Sequence, residues 1–265
     1  MRFASLGSGS KGNCLVAEAG QGAGATRVLI DCGLAPRETE RRLGRLGLAP
    51  GDIHAILVTH EHDDHAGHAY AFAAQHGAGV WMTHGTRQAL QESRKPPEGA
   101  RAAAGTRIIE GRGAFSVGAM QVLPFTVPHD AREPVQYVLS DGSRRLGVLT
   151  DLGTSTAHVE ATLSGCDALV LETNHDPDLL QGGGYPRWLK ERIGGPFGHL
   201  SNAAAAKLLA ALDRTRLQHV VCAHLSQQNN RPELARAALA GALGCAEDWV
   251  GVATQEEGFG WRDLR

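Results

Sequence analysis

The segment 58–68, VTHEHDDHAGH, restricts most strongly what this chain can fold into. Every residue from His60 to His65 can bind a metal ion or transfer a proton, and His68 follows shortly after. The residues before them, IHAILVTH at 53–60, form an apolar run that predicts a buried strand ending at the histidines. Neither a packed core nor a solvated surface requires such a composition. The run therefore predicts a functional site at the end of a strand.

The spacing within this run is typical of a metal site. His60, His62, Asp64 and His65 follow the pattern H-x-H-x-D-H. Two histidines two residues apart can point to the same side of an extended chain, and the next two ligands can turn back where a helix begins. Imidazole and carboxylate ligands suit zinc, and manganese or iron less selectively. The alternative is a histidine-rich helix cap, but four potential ligands favour the metal site.

Three further residues are candidates to complete the site, since each ends an apolar strand. His129 ends VLPFTVPHD, Asp151 ends RLGVLTD and His224 ends HVVCAH. A lone histidine is more often structural or on the surface. Three residues in the same strand-end position favour a shared site.

Composition restricts the class of protein. No apolar run approaches the length of a membrane span, and the N-terminal residues lack the apolar region of a secretory signal, so we expect a cytoplasmic protein. Five cysteines without a C-x-x-C pair argue against a disulfide framework or a structural zinc site, and Cys166 and Cys222 should be buried. A net charge of −2 gives no global attraction to nucleic acid, although a local basic surface remains open.

The hydrophobic pattern predicts a single α/β domain over 1–265. Strands alternate with helices on both sides of a middle region, 107–151, in which tight turns join strands and Asp141-Gly142 marks a hairpin. We expect two sheets faced by outer helices, and a last strand pair at 249–254 and 258–264. Helices are predicted at 36–48, with arginines 37, 41, 42 and 45 on a solvated face, and at 66–76, 201–212 and 232–243, while 86–105 should be a helix running into a loop.

The H-x-H-x-D-H motif followed by distant His, Asp and His resembles the metallo-β-lactamase superfamily over nearly the whole chain. This resemblance implies the αββα fold, a four-layer sandwich of two mixed sheets flanked by helices. The segments SLGSGSKGNC (5–14), ETNHD (172–176), GHLSN (198–202) and AHLSQQNN (223–230) resemble more narrowly the YycJ/WalJ-type hydrolases, which are relatives of the RNase Z and RNase J phosphodiesterases.

The resemblance also implies a ligand set for two divalent ions, zinc or manganese. It assigns His60, His62 and His129 to one ion, Asp64, His65 and His224 to the second, and Asp151 to a bridge between them. Asp31 matches the family's structural support near the ligands. Lactam-cleaving members with two zinc ions commonly have cysteine at the bridging position, so Asp151 argues against β-lactam hydrolysis. Thioesterase relatives share the aspartate, so the ligands alone do not separate thioesters from phosphodiesters.

A two-ion site generates its own nucleophile, because ions about 3.5–4 Å apart can share a water molecule and convert it to hydroxide near neutral pH. The leaving oxygen then needs a proton. Glu172 and His199 resemble the glutamate and histidine that donate it in RNase Z-like enzymes, although Leu200 separates His199 from the serine of the motif. His199 could instead flank the helix cap Ser201. His175 is an alternative donor, and Asp64 completes the candidate catalytic residues.

Two segments are candidates for substrate contacts. The glycine-rich segment 6–13 could turn backbone N–H groups toward an anion, assisted by Ser8, Ser10, Lys11 and Asn13, or could be a simple hairpin loop. The long connection 176–202 combines two candidate substrate contacts, Arg187 and Lys190, with Tyr185, Trp188 and Arg192, a mixture used on single-stranded nucleic acid. It could equally be a packing helix with solvated charges, and residues 182–184 should be a hinge or poorly ordered.

The leading hypothesis is a dinuclear metal phosphodiesterase that uses a metal-bridging hydroxide as an exonuclease, on DNA rather than RNA, and the resemblance alone implies a role in DNA repair. The alternative enzyme is a small-molecule hydrolase of a cyclic phosphodiester, a thioester or a lactone. A basic rim would favour the nuclease and a narrow apolar pocket the alternative. A non-catalytic metal-binding module is disfavoured by the complete ligand set. The physiological metal, the choice between DNA and RNA, strand polarity and oligomeric state stay open.

Overall fold

Strands and helices alternate in the computed structural model, which describes residues 1–93 and 105–265. In chain order the strands are β1 (Arg2–Gly7), β2 (Cys14–Ala19), β3 (Thr26–Ile30), β4 (Ala55–Leu57), β5 (Gly79–Thr83), β6 (Thr106–Ile109), β7 (Phe115–Val117), β8 (Met120–Thr126), β9 (Val135–Ser140), β10 (Arg145–Leu149), β11 (Ala168–Glu172), β12 (His219–Ala223), β13 (Gly251–Val252) and β14 (Phe259–Asp263). The helices are α1 (Pro36–Arg45), α2 (Asp63–Ala66), α3 (Ala69–His76), α4 (His84–Glu92), α5 (Ala157–Leu163), α6 (Pro177–Gly182), α7 (Arg187–Ile193), α8 (Asn202–Ala211) and α9 (Pro232–Leu243).

The strands form two mixed sheets. Over the described residues, the first has the order β14-β1-β2-β3-β4-β5-β6 and the second has the order β13-β12-β11-β10-β9-β8-β7. In the first sheet, β3 to β6 run parallel and the remaining neighbours pair antiparallel. The second sheet repeats this division, with β10 to β13 parallel and β7 to β10 antiparallel. Asp141-Gly142 lies in the turn between β9 and β10, as predicted.

Successive apolar side chains along the strands alternate between the layer that lies between the two sheets and the layers beneath the outer helices. In β3, Val28 and Ile30 join the cluster between the sheets, whereas Leu29 joins the cluster beneath the helices, because successive side chains of a strand point to opposite faces. In β10, Val148 faces the central layer and Leu149 the outer one.

Helices cover the outer face of each sheet. Leu43 of α1 and Phe72 of α3 pack on the first sheet, and Leu208 of α8 and Leu239 of α9 pack on the second. The layers are therefore helix, sheet, sheet and helix, and the predicted αββα sandwich is confirmed. No described helix combines the length and apolar character needed to cross a membrane.

Several predicted elements were wrong in detail. The last two predicted strands share a single isolated antiparallel bridge, between Thr254 and Gly258, and otherwise do not form the predicted pair, because β13 joins β12 in the second sheet while β14 joins β1 in the first. The predicted strand at 53–60 is a strand only over Ala55–Leu57. The long connection 176–202 contains α6 and α7, and Gly182 is the last residue of α6. Helix α4 spans His84–Glu92, and residues 94–104 of the predicted helix and loop lie outside the described residues.

Arg42 is buried, whereas we predicted it on a solvated face. Its Nη1 atom donates to the backbone carbonyls of Leu6, at 2.6 Å, and of Gln255, at 2.8 Å, and its Nε atom pairs with Glu38. These acceptors satisfy a guanidinium that would otherwise be costly to bury. The other three arginines of the set are exposed as predicted.

Candidate metal centre

Three imidazole rings converge where β4 and β8 end. The Nδ1 atom of His62 lies 3.0 Å from Nε2 of His60 and 3.4 Å from Nε2 of His129. Ligands of a tetrahedral zinc ion, each about 2.0–2.1 Å from the metal, stand about 3.3 Å apart. The spacing of the three nitrogens therefore matches that of ligands to one ion.

Hydrogen bonds on the opposite ring edges orient two of these histidines. His129 donates from Nδ1 to the carbonyl of Gly198 at 3.0 Å, so its Nε2 atom carries the lone pair when the ring is neutral. The Nδ1 atom of His60 lies 2.9 Å from the hydroxyl of Thr59. Such partners on the far nitrogen fix the ring and tautomer of a metal-binding histidine.

A second group lies beside the first and consists of Asp64, His65 and His224. The Oδ2 atom of Asp64 lies 3.5 Å from Nε2 of His65 and 3.3 Å from Nε2 of His224. The Nδ1 atom of His65 donates to Oδ2 of Asp31 at 2.7 Å, and Oδ1 of Asp31 accepts from the backbone N–H of Thr59 at 2.8 Å. Asp31 thus orients a candidate ligand and ties it to the strand end that carries His60.

The carboxylate of Asp151 lies between the two groups. Its Oδ2 atom is 3.1 Å from Nε2 of His65, and its Oδ1 atom is 3.7 Å from Nε2 of His129 and 3.5 Å from Nδ1 of His224. Asp151 is 1% exposed, and its Oδ2 atom makes no hydrogen bond. A buried carboxylate oxygen that makes no hydrogen bond of good geometry is the environment expected of a metal ligand.

Backbone strain and a close contact are concentrated at this cluster. In the described part of the chain, the non-glycine residues with positive φ are Asp31, at 61°, and His224, at 53°. Both hold side chains in the cluster, and strained backbone is often retained at functional sites. Gly33 lies so close to the loop of Asp64 that a Cβ atom there would be 1.9 Å from the Asp64 carbonyl oxygen.

Buried acidic groups dominate the electrostatics. Burial alone would lower the pKa of His224, but the carboxylates of Asp151, Asp64 and Glu172 raise it to about 10. Burial would likewise lower the pKa of His65, but the carboxylates of Asp151, Asp64 and Asp31 raise it well above its usual value. Burial would raise the pKa of Asp151, yet the neighbouring histidines lower it well below its usual range. Without metal, protons on histidines therefore balance the charge of ionised carboxylates.

Charge balance indicates that divalent cations fit this site. Asp31, Asp64, Asp151 and Glu172 have histidines as ion-pair partners, and over the described residues no Lys or Arg lies within pairing distance of them. Buried carboxylates require compensating positive charge. Neutral imidazoles and carboxylates are ligands for divalent ions, which would replace the protons.

Glu172 and His199 adjoin the cluster. The Oε1 atom of Glu172 accepts from Nδ1 of His199 at 2.7 Å and from Nδ1 of His224 at 3.2 Å. Burial alone would lower the pKa of His199, but Glu172 raises it above the usual value. His175, in contrast, is 4% exposed and its Nδ1 atom has no hydrogen-bond partner.

Comparison with known proteins identifies the family. A family model described as the beta-lactamase superfamily domain matches residues 26–225. The chain is 32% identical to exodeoxyribonuclease YycJ of Bacillus anthracis, over 98% of this chain and 91% of the relative. The chain belongs to the metallo-β-lactamase superfamily. It is a metal-dependent hydrolase.

One further relative supports this assignment, and one solved structure supports the fold. Exodeoxyribonuclease WalJ of Streptococcus pneumoniae serotype 2 is 30% identical over 95% of this chain and 91% of the relative. The crystal structure of Zn²⁺-bound PqqB from Methylobacterium extorquens aligns with a TM-score of 0.70 at 18% identity, over 100% of both chains. The second likeness supports the fold.

The two groups of candidate ligands border a cavity of about 420 Å³. Its lining includes four of the candidate ligands together with Tyr185, Leu189 and Arg192; the four are His62, Asp64, Asp151 and His224. His199 lines this cavity, whereas His175 is not among its lining residues. The cavity volume lies in the range of small-molecule sites.

Of the polar residues of 6–13 that were predicted to contact substrate, one lines the cavity and two contact the loops that carry the candidate ligands. Ser10 lines the cavity. Ser8 instead accepts from the backbone N–H of His224 at 2.8 Å, and Asn13 places Nδ2 3.1 Å from Nε2 of His65. Both side chains are buried, so they support the metal-site loops.

The three predicted cationic contacts lie outside the cavity lining. Lys11 is exposed, and its backbone N–H donates to Gln255 at 2.8 Å. Arg187 pairs with Glu191 at 2.7 Å, and Lys190 donates to the carbonyl of Gln181.

Sequence reasoning missed two residues beside the cluster. Asp130 places Oδ1 3.4 Å from Nε2 of His129, and its Oδ2 atom accepts from Nε of Arg192 at 2.6 Å. Thr59 contacts both Asp31 and His60. Their positions in the sequence could have indicated both residues, since each is next to a candidate ligand.

Proposed function

We propose that this protein is a dinuclear phosphodiesterase that acts as an exonuclease on DNA. The observation that carries the proposal is Asp151, a buried carboxylate that lies beside both groups of candidate ligands, 3.7 Å from Nε2 of His129 in the first and 3.1 Å from Nε2 of His65 in the second. The names of the YycJ and WalJ relatives support DNA as the substrate. A cytoplasmic role in DNA repair, implied by the resemblance, belongs to the same proposal.

The proposed ligand sets follow the two groups, and zinc or manganese are the ions we expect. Divalent ions bound there would lower the pKa of a water molecule and offset the negative charge of a phosphodiester. The ligands of the first ion would be His60, His62 and His129, those of the second Asp64, His65 and His224, and Asp151 would bind both.

The chain's own residues would then protonate the leaving oxygen. Glu172 holds His199 through Nδ1, which leaves Nε2 as the nitrogen available to the cavity that His199 lines. We assign Nε2 of His199 as the proton donor and Glu172 as the residue that orients it. Ser10 and Arg192 line the same cavity and could contact the phosphate backbone.

End-labelled single- and double-stranded DNA tests the proposal directly. Protein reconstituted with zinc or manganese should release nucleotides stepwise from one end, and the double variant Asp64→Ala, His65→Ala should release none. Asp248→Ala, an exposed position away from the cavity, is the matched control and should behave as wild type. A wild type that cleaves neither DNA nor a matched RNA would overturn the proposal and favour cyclic phosphodiesters, thioesters or lactones as substrates.

A further inference from the structure

The two most exposed large hydrophobic side chains in the described part of the chain lie close together in sequence. Trp188 is 64% exposed and Phe197 is 59% exposed. Both belong to the segment 185–198, which we call the α7 arm. Large apolar side chains that remain this exposed often mark a binding surface.

The α7 arm borders the cavity of the metal centre. Tyr185, Leu189, Arg192 and Gly198 of the arm line that cavity. Trp188 precedes Arg192 by four residues in the same helix, a spacing that makes side chains neighbours on a helix surface.

Phe197, near the other end of the arm, is linked to Arg192 through Asp130. Its carbonyl accepts from the backbone N–H of Asp130 at 3.0 Å, and Asp130 in turn accepts from Nε of Arg192 at 2.6 Å. The Arg192–Asp130 pair thus connects the segments that carry the two exposed rings. Asp130 also follows His129, so this connection reaches the first ligand group.

The charge of the arm suits a polyanion. Between Tyr185 and Gly198 it carries Arg187, Lys190 and Arg192 but a single acidic residue, Glu191, whereas the whole chain has a net charge of −2. Exposed aromatic rings among cationic side chains are the combination that binds single-stranded nucleic acid, since unpaired bases stack on the rings. In a duplex the base faces are covered by neighbouring pairs.

We propose that the α7 arm is a binding surface for single-stranded DNA, on which Trp188 and Phe197 stack with unpaired bases next to the bond being hydrolysed. This inference rests on the proposed nuclease function and adds to it a substrate class, DNA with an unpaired end. Arg192, which lines the cavity and follows Trp188 by four residues in the same helix, would contact the phosphate that links the stacked bases to the bound nucleotide.

Fluorescence anisotropy with metal-loaded protein and a phosphorothioate oligodeoxythymidine, which resists cleavage, tests this surface. Trp188→Ala and Phe197→Ala should each weaken binding by about tenfold. Trp188→Phe should restore most of the affinity. The matched control is Trp249→Ala, because Trp249 is also exposed, at 40%, but lines a different cavity with Leu212 and Leu243. This control should bind as wild type.

Two comparisons decide between stacking and a general loss of structure. Hydrolysis of bis(4-nitrophenyl) phosphate reports the metal centre, so the loss on single strands should exceed any loss on this compound by about tenfold. Equal losses on single strands and on blunt duplex would overturn the proposal. Tighter binding of a matched oligouridine would overturn the assignment to DNA.

The two proposals fail in different ways. If wild type degrades DNA and the aromatic variants bind as Trp249→Ala does, the surface proposal is wrong and the nuclease stands. If wild type cleaves no nucleic acid, the nuclease proposal is wrong and this inference falls with it.

Discussion

Glu172 accepts hydrogen bonds from more residues of the site than any neighbouring carboxylate does. Its Oε1 atom accepts from His199 and His224, and its Oε2 atom accepts from the backbone N–H groups of Leu152, at 2.8 Å, and Leu200, at 3.1 Å. This one buried side chain therefore holds the proposed proton donor, a candidate ligand and two loops. Substitution by glutamine removes the charge of this side chain but keeps its shape, so the two contributions can be measured separately.

Glu172→Gln should reduce kcat on DNA by about 100-fold with a small change in KM. The amide oxygen can keep the two backbone hydrogen bonds, but the amide cannot act as counter-ion to a protonated His199. Steady-state kinetics and circular dichroism would measure the loss and check the fold. His175→Gln should remain near wild type because His175 lies outside the cavity lining. Equal losses in both variants would contradict the assignment of His199.

Asp31→Asn should weaken metal binding by about 10- to 100-fold, because the carboxylate that orients His65 loses its charge. Asparagine tolerates the positive φ of this position, so backbone strain should not add to the effect. Competition with a chromophoric chelator measures the affinity. The exposed Asp248→Asn serves as control, and an Asp31→Asn protein that holds metal as tightly as this control would contradict the orienting role.

At the scale of single elements, local signals predicted some boundaries well. Helix α9 occupies Pro232–Leu243 as predicted, since proline stands at its start and Gly244 ends it with a φ of 67°. Long-range pairing was not predictable in this way. The last strand, β14, pairs with β1 at the other end of the chain, and Arg42 is buried by carbonyls that include that of Gln255. No local pattern encodes those partners.

Gly33→Ala tests how closely two loops must approach to form the site. Its Cβ would lie 1.9 Å from the carbonyl oxygen of Asp64, so the loop that carries Asp64 and His65 must move. We expect a destabilisation of about 2 kcal/mol and a lower metal affinity.

Gly44→Ala is the matched control for this substitution. It lies in α1 with no atom within 4 Å of the added Cβ, and it should stabilise the protein by up to about 1 kcal/mol. Thermal unfolding measures both changes, and a Gly33→Ala protein as stable as Gly44→Ala would contradict the close approach.

For the whole molecule, the sequence predicted the layers and which residues meet at one end of the sheets. Candidate ligands at the ends of apolar strands come together because the carboxyl ends of parallel strands share an edge. The contacts of Ser8 and Asn13 could not be predicted from the sequence, since Ser8 accepts from the backbone N–H of His224 and Asn13 donates to Asp64, both of which are distant in sequence. The pairing of Asp130 with Arg192 likewise depends on how α7 packs over the cavity.

The packed layers also protect the thiols. Cys14, Cys32, Cys166 and Cys222 are buried, and burial raises the pKa of Cys166 to about 11 and that of Cys222 to about 12. At pH 8 these two thiols should stay protonated and unreactive toward a disulfide reagent. Native protein should react at one thiol, the partly exposed Cys245, and unfolded protein at five. Native reaction that persists in Cys245→Ser would contradict this packing.

The central claim is that Asp151 joins two ion sites with separate ligands. The direct measurement is the metal content per chain, by elemental analysis of purified, metal-reconstituted wild type, His129→Ala and His224→Ala. We expect two ions in wild type and about one in each variant, because His129 and His224 belong to different ligand groups. One ion in wild type, retained in His224→Ala, would contradict it.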